Sequence, residues 1–81
     1  MNNNSYRKIL ADNIKRYRLN LGLSQEEFAD LTGFHRTYIG SVERCERNVT
    51  LSTLETFAIV LKVSIPEILT QRNDNNKTKN C

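Results

Sequence analysis

Five residues in the first half of the chain share a spacing that strongly limits the local structure. They stand at relative positions 1, 5, 9, 15 and 18 of one stretch: Gln25, Ala29, Gly33, Ile39 and Val42. A small residue at the fifth position lets a second helix cross closely over the first. A glycine at the ninth can adopt the left-handed backbone of a tight turn. The spacing predicts two short helices joined by a tight turn.

This pattern favours a helix-turn-helix over a generic helical hairpin, because all five positions agree. The remaining helices follow from apolar periodicity and from capping patterns. We predict a first helix over residues 6–21, a second in "SQEEFADLTG" and a third from residue 35 or 36 to about 44. A fourth should cover residues 52–62, and a short fifth should lie in "VSIPEIL".

Serine and glutamate three residues apart mark the starts of three of these helices. The pairs are Ser24 with Glu27, Ser52 with Glu55, and Ser64 with Glu67, and each can form a capping box. We therefore expect one all-α domain, a compact five-helix bundle over residues 1–71. Residues 72–81, "RNDNNKTKNC", are expected to be a disordered polar tail.

Composition excludes several classes of function. The chain has 81 residues, a net charge of +3, two cysteines and one histidine. No metal site, cofactor motif, small-molecule site or converging catalytic group is evident, so an enzyme is not expected. The longest apolar run is too short to span a membrane and the start lacks a signal peptide. With Cys45 and Cys81 expected as free thiols, the chain is predicted to be cytoplasmic.

The predicted third helix has two faces. Ile39 and Val42 should point into the core, whereas the opposite side carries two arginines, two hydroxyls and a glycine: Arg36, Thr37, Gly40, Ser41 and Arg44. Residues three and four apart share a face of a helix. An ordinary solvated helix is the alternative, but it would more often carry Lys and Glu and no Gly. The composition favours a surface that contacts double-stranded DNA.

Each polar residue near this face has a specific expected role. Arg36 can donate two hydrogen bonds to guanine in the major groove, and Thr37 can offer its hydroxyl or methyl group to a base. Tyr38 is open between half-buried packing with its hydroxyl on a phosphate and packing alone. From the residues themselves, the predicted base-reading set is Arg36, Thr37 and Ser41, and the predicted backbone contacts are Ser24, Gln25 and Arg44. Arg47 and Asn48, just past the helix, could reach either the DNA backbone or a partner subunit.

The last two helices carry more apolar residues than one inner face requires. A helix that is apolar around most of its circumference must bury a second face, either in the bundle or against another chain. We predict that a second copy covers it, through Ile59, Val60, Ile65, Ile68 and Leu69. A dimer would place two recognition helices one DNA turn apart, about 34–36 Å.

The sequence from residue 8 to about 70 resembles the Xre-type helix-turn-helix domains, the class of phage Cro and repressor proteins. The string "RTYIGSVER..RN" is similar to the controller proteins of bacterial restriction–modification systems. The resemblance implies a lambda-repressor-like five-helix bundle whose third helix enters the major groove. It also implies that Arg36, Thr37 and Tyr38 read DNA and that Arg18 and Glu43 form an internal ion pair joining helices one and three.

Controller proteins are homodimers on inverted-repeat operators, so the resemblance implies the same for this chain. They activate their own and the endonuclease gene and repress at higher concentration. A phage-type repressor or an antitoxin with the same domain is the alternative. Activation requires a surface for RNA polymerase, and Glu26, Glu27 and Asp30 offer either an acidic patch or an ordinary solvated face. One departure is Cys45, where many relatives have glycine, which leaves the end of the third helix and the place of Arg47 open.

Overall fold

In a computed structural model, residues 5–72 are described, apart from the Ser5 side chain. They form five helices and no strand: α1 (Ser5–Asn20), α2 (Gln25–Thr32), α3 (Arg36–Glu43), α4 (Leu51–Leu61) and α5 (Ile65–Ile68). The all-α, five-helix prediction is therefore confirmed. The predicted polar tail lies outside the described residues, except for Arg72. No helix within the described range is long and apolar enough to cross a membrane.

Local hydrogen bonds set the ends of α2. The Ser24 hydroxyl accepts from the backbone N–H of Glu27 at 3.0 Å, and the Glu27 carboxylate accepts from the backbone N–H of Ser24 at 2.8 Å. At the other end, Gly33 has φ 82° and donates its N–H to the Ala29 carbonyl. Both features are local in sequence, which is why the pattern of residues predicted them.

The end of α3 is closed by a residue other than glycine. Cys45 takes the left-handed conformation at φ 66°. Its N–H reaches the Val42 carbonyl at 3.1 Å, while the N–H of Glu46 reaches the Ser41 carbonyl at 2.9 Å. These two bonds make a Schellman motif, so the helix ends where a glycine would have ended it. Cys45 is disulfide-bonded, so the expectation of a free thiol at this position is wrong, whereas Cys81 lies outside the described residues.

The start of α4 differs from the prediction. The helix begins at Leu51, and its N-cap is Thr50, whose hydroxyl accepts from the N–H of Thr53 at 3.2 Å. The predicted box of Ser52 and Glu55 is wrong, because Thr50 lies two residues earlier and already caps the helix. The box at the start of α5 is present, with Ser64 and Glu67 joined at 2.7 Å and 3.1 Å.

The core lies between the five helices, with α2 packed against α3 and α4, and α1 packed against α3, α4 and α5. The side chains with almost no exposed surface include Ile14, Phe28, Ile39, Phe57 and Ile68. The Phe28 and Phe57 rings lie 5.3 Å apart between centroids. Aromatic pairs at this distance add to the free energy gained by burial. This core gives α2 and α3 a common support.

A buried asparagine ties the last helix to the first. Asn13 is 1% exposed, and its side-chain N–H groups donate to the carbonyls of Ile68 at 2.7 Å and Thr70 at 2.8 Å. The two carbonyls lie at the last residue of α5 and just beyond it, where no further helical turn offers a backbone N–H. Asn13 therefore supplies hydrogen bonds that the short helix α5 cannot make for itself.

Candidate nucleic-acid interface

The two faces of α3 are separated only in part as the sequence indicates, because Gly40 and Ser41, expected on the outer face, are buried. Ile39 is 0% and Val42 is 1% exposed, and both belong to the hydrophobic core. Arg36, Thr37 and Arg44 are exposed. Since α2 packs against the buried side of α3, these exposed residues form the outer surface of the helix pair.

The N-terminal turn of α3 is organised by His35. The imidazole Nδ1 accepts from the backbone N–H of Thr37 at 3.2 Å and lies 2.9 Å from the Thr37 hydroxyl oxygen. The histidine is thus the N-cap of α3. The contact between Nδ1 and the hydroxyl oxygen holds the Thr37 side chain in place, and the residue is exposed.

Arg36 is available for an external partner. It is exposed, and within residues 5–72 its guanidinium has no hydrogen-bond or ion-pair partner. The side chain borders a shallow cavity of about 240 Å³ that also includes His35, Glu26 and Asp30. A guanidinium at the first turn of α3 has the reach and the donors for a base edge.

Ser41 does not lie on the outer face. It is 5% exposed, its hydroxyl donates to the Tyr38 carbonyl at 2.7 Å, and it accepts from Arg47 Nε at 3.2 Å. A base-reading role for Ser41 is therefore wrong, because the hydroxyl is enclosed and already satisfied within the protein. The helical wheel places residue 41 near the boundary between faces, and packing of the segment after α3 covers it.

Tyr38 and Arg47 pack together at the flank of α3. The Tyr38 ring is half-buried, with its centroid 5.3 Å from that of Phe34 and 5.8 Å from the Arg47 guanidinium carbon. With the Ser41 contact, this places Arg47 against α3, although it lies beyond the helix end. Asn48, the next residue, is exposed and borders a cavity of about 240 Å³ beside the start of α1.

A buried ion pair joins α1 to α3. Arg18 donates from Nε to Glu43 Oε2 at 2.7 Å and from Nη2 to Glu43 Oε1 at 3.0 Å. The two side chains are 7% and 3% exposed. Arg18 also donates to the Leu23 carbonyl at 2.6 Å. This bidentate contact fixes α3 relative to α1 and to the turn that leads into α2.

Gln25 extends this network to the start of α2. Its side-chain N–H donates to Glu43 Oε1 at 3.0 Å, so this group is occupied within the protein. Ser24 is exposed, but its hydroxyl oxygen serves the capping box. The hydroxyl proton of Ser24 has no acceptor among the described residues, whereas the Gln25 amide is oriented by Glu43.

The Arg44 guanidinium lies beside Gly40 of α3. A Cβ at Gly40 would stand 3.1 Å from Arg44 Nη1 and 3.5 Å from Gln25 Oε1. The Arg44 guanidinium is held by Glu46, with Nε–Oε2 at 3.0 Å and Nη2–Oε1 at 3.1 Å. The hydrogen bond from Arg44 is the largest cause that lowers the pKa of Glu46, and it raises the pKa of Arg44.

The residues expected to contact a second copy fall into two groups. Ile68 is 0% exposed and belongs to the core, so its prediction as an interface residue is wrong. Ile59 is 77% exposed, and three residues are half-buried: Val60, Ile65 and Leu69. These four keep apolar surface that the bundle itself leaves uncovered.

Sequence comparison assigns the fold to a family. Residues 14–68 match the helix-turn-helix family. The chain belongs to the helix-turn-helix family. It is also 54% identical, over 71 residues, to the control protein C.SmaI of Serratia marcescens; the match covers 88% of this chain and 84% of that protein.

Two solved structures share the arrangement. The restriction–modification controller protein C.AhdI from Aeromonas hydrophila has a TM-score of 0.73 and 35% identity, covering 76% of this chain and 94% of that chain. SinR, described as the master regulator for biofilm formation and solved in complex with DNA, has a TM-score of 0.72 and 34% identity, covering 75% and 98%. These similarities support a DNA-binding regulator, and the relatives named here are regulators rather than enzymes.

Sequence reasoning missed three features of this surface. The pairing of Arg44 with Glu46, the stacking of Arg47 on Tyr38 and the enclosure of Ser41 all depend on how the chain turns after α3. The sequence shows Glu46 two residues after Arg44. The left-handed conformation of Cys45 between them, which brings the two side chains together, could not be read from the sequence.

Proposed function

We propose that this protein is a sequence-specific DNA-binding transcriptional regulator, and that α3 is its recognition helix in the major groove. The observation that carries the proposal is the first turn of α3. There Arg36 has no partner among the described residues, and His35 fixes Thr37 beside it. Both side chains are presented from a rigid helix rather than from a loop. Arg36 would pair with guanine, and Thr37 would meet a neighbouring base.

Phosphate contacts would come from residues on both sides of this turn. Ser24 lies at the start of α2, where the helix dipole and a free hydroxyl proton favour an anion. Arg44, Arg47 and Asn48 are exposed at and beyond the other end of α3. Gln25 would assist through the second N–H of its side-chain amide, since Glu43 accepts only one of the two and orients the group. Tyr38 would contribute its ring to this surface and its hydroxyl to a phosphate.

The protein is proposed to act as a homodimer. Ile59 would be the centre of the interface because it is the most exposed large apolar residue of the described chain. Val60, Ile65 and Leu69 would surround it. Replacing Ile59 by Lys should dissociate the dimer, as measured by sedimentation velocity. The control Leu19→Lys, at an exposed apolar residue of α1, should leave the dimer intact. A monomeric wild-type protein at micromolar concentration would contradict the proposal.

The similarity to C.SmaI and C.AhdI favours one biological role: control of a restriction–modification system. As a controller, the dimer would bind an inverted-repeat operator and activate its own and the endonuclease gene. At higher concentration it would repress them. RNA polymerase is the partner that activation requires, and Glu26, Glu27 and Asp30 on α2 are exposed. A reporter carrying the upstream region of the gene should show expression that rises and then falls with protein concentration.

Operator binding by an arginine variant tests the recognition helix. Arg36→Ala should weaken operator binding by about 5- to 150-fold for each half-site, which corresponds to about 1–3 kcal/mol for each bidentate base contact. The matched control is Arg72→Ala, an exposed arginine beyond α5. Fluorescence anisotropy with an operator obtained by selection measures both. Equal affinities for the wild type and Arg36→Ala would refute base reading by Arg36.

A further inference from the structure

The C-terminal end of α3 places a carboxylate where a DNA phosphate would be expected to bind. Arg44 is exposed, but two of its three guanidinium nitrogens are engaged by both oxygens of Glu46. This two-pronged geometry is the one a phosphate would use. The Arg44 and Glu46 side chains are 58% and 54% exposed, so solvent or an external anion can reach the pair.

Two further observations fix Arg44 in this arrangement. Nη1 lies over Gly40, where the absence of a side chain lets the guanidinium approach the α3 backbone. Gln25, which is held by Glu43, borders the same space. The pair thus sits at the junction between α3 and the start of α2, inside the surface assigned to DNA. The Arg47 charge also lowers the pKa of Glu46, after the effects of Arg44.

We propose that Glu46 is an affinity-setting residue that imitates a DNA phosphate and holds Arg44 until DNA displaces it. This inference rests on the proposed function, because it requires DNA at α3. While the pair is closed, its net charge is zero and the two-pronged Nε–Nη2 edge of Arg44 is occupied, whereas Nη1 lies against Gly40. A phosphate that binds Arg44 through the Nε–Nη2 edge must break two hydrogen bonds to Glu46 and leave that carboxylate near the DNA backbone. Glu46 therefore weakens the phosphate contact that Arg44 would otherwise make.

Removing the charge of Glu46 tests this directly. We expect Glu46→Gln to bind a random-sequence duplex of about two helical turns about two- to fivefold more tightly than the wild type. The slope of log affinity against log salt, measured between about 50 and 200 mM, should steepen by about one for each subunit bound, because each subunit neutralises one more phosphate. Glu55→Gln removes an equal charge from an exposed position on α4 and serves as the matched control.

A second background separates the pair from general charge. In Arg44→Ala, the additional change Glu46→Gln should raise affinity less than it does in the wild type and should leave the salt slope unchanged, because no arginine remains to be released. Unfolding monitored by circular dichroism confirms that all variants are folded. Equal salt slopes for the wild type and Glu46→Gln, or weaker binding by Glu46→Gln, would overturn the inference about Glu46. The proposed function would stand in that case, as long as the wild type binds DNA. Wild-type binding that is absent or independent of salt would defeat both.

Discussion

The buried Arg18–Glu43 pair gives the sharpest test of how α3 is held. Replacing Arg18 by Met removes three hydrogen bonds, two to Glu43 and one to the Leu23 carbonyl. Glu43, whose side chain is 3% exposed, would keep only the hydrogen bond from Gln25. Breaking a buried pair by removing one partner typically costs about 3–5 kcal/mol, because the remaining charge is uncompensated.

That cost is large for a chain of this size. At about 0.05–0.15 kcal/mol per residue, the total free energy of unfolding is on the order of 4–12 kcal/mol. We therefore expect Arg18→Met to lose a large share of its stability, with the melting temperature falling by more than about 12 °C. Glu43→Leu should lose a comparable amount, because Arg18 would then be buried with only the Leu23 carbonyl as partner.

The double variant distinguishes the pair from its parts. Arg18→Met with Glu43→Leu leaves no buried charge, only the neutral groups of Leu23 and Gln25 without their partners. Its cost should be about 1–3 kcal/mol, well below the sum of the single variants. Urea unfolding followed by circular dichroism measures all four proteins. Single variants within about 1 kcal/mol of the wild type, or a double variant equal to the sum, would refute a strongly coupled buried pair.

Three other variants probe the ends of the helices, each by denaturant unfolding. Lys62 closes α4 at φ 63° with an exposed side chain, so Lys62→Gly should stabilise the fold by about 0.5–1 kcal/mol; a loss of stability would contradict the strain assigned to it. Asn13→Ala should cost about 1–3 kcal/mol, because the carbonyls of Ile68 and Thr70 lose their buried donor, and an unchanged midpoint would contradict that role. The backbone hydrogen bond from Ser64 lowers the pKa of Glu67 below 4.5. The stability that Glu67 contributes is therefore present above pH 4.5 and is lost as the pH falls through the lowered value. The free energy of unfolding of the wild type should exceed that of Glu67→Gln at neutral pH and approach it in acid. A difference that stays constant over this pH range would contradict the prediction.

Features that depend on neighbours in sequence were predictable here. Ser24 with Glu27, Gly33 and the inward pair of Ile39 and Val42 are each defined by residues a few positions apart. The box at Ser52 failed for a local reason, since Thr50 offers the same hydroxyl at an earlier position. Where two capping patterns overlap, the residue at which the preceding loop joins the helix determines which one forms.

Features that depend on distant packing were not predictable. Asn13 pairs with carbonyls 55 and 57 residues away, and a backbone carbonyl carries no sequence signal. Ser41 and Ile68 lie near boundaries of their helical faces, where small differences in packing decide between exposure and burial. Both were placed on the surface by periodicity, and both are buried.

Binding selection on random duplex DNA tests the central claim most directly. The wild-type protein should enrich an inverted repeat whose half-sites are about one helical turn, 10–10.5 base pairs, apart. The Arg36→Ala protein should enrich the same repeat with the preference lost at one base position of each half-site, since one base contact has been removed. Enrichment of no sequence by the wild type, or of an identical sequence by both proteins, would contradict recognition of DNA through the first turn of α3.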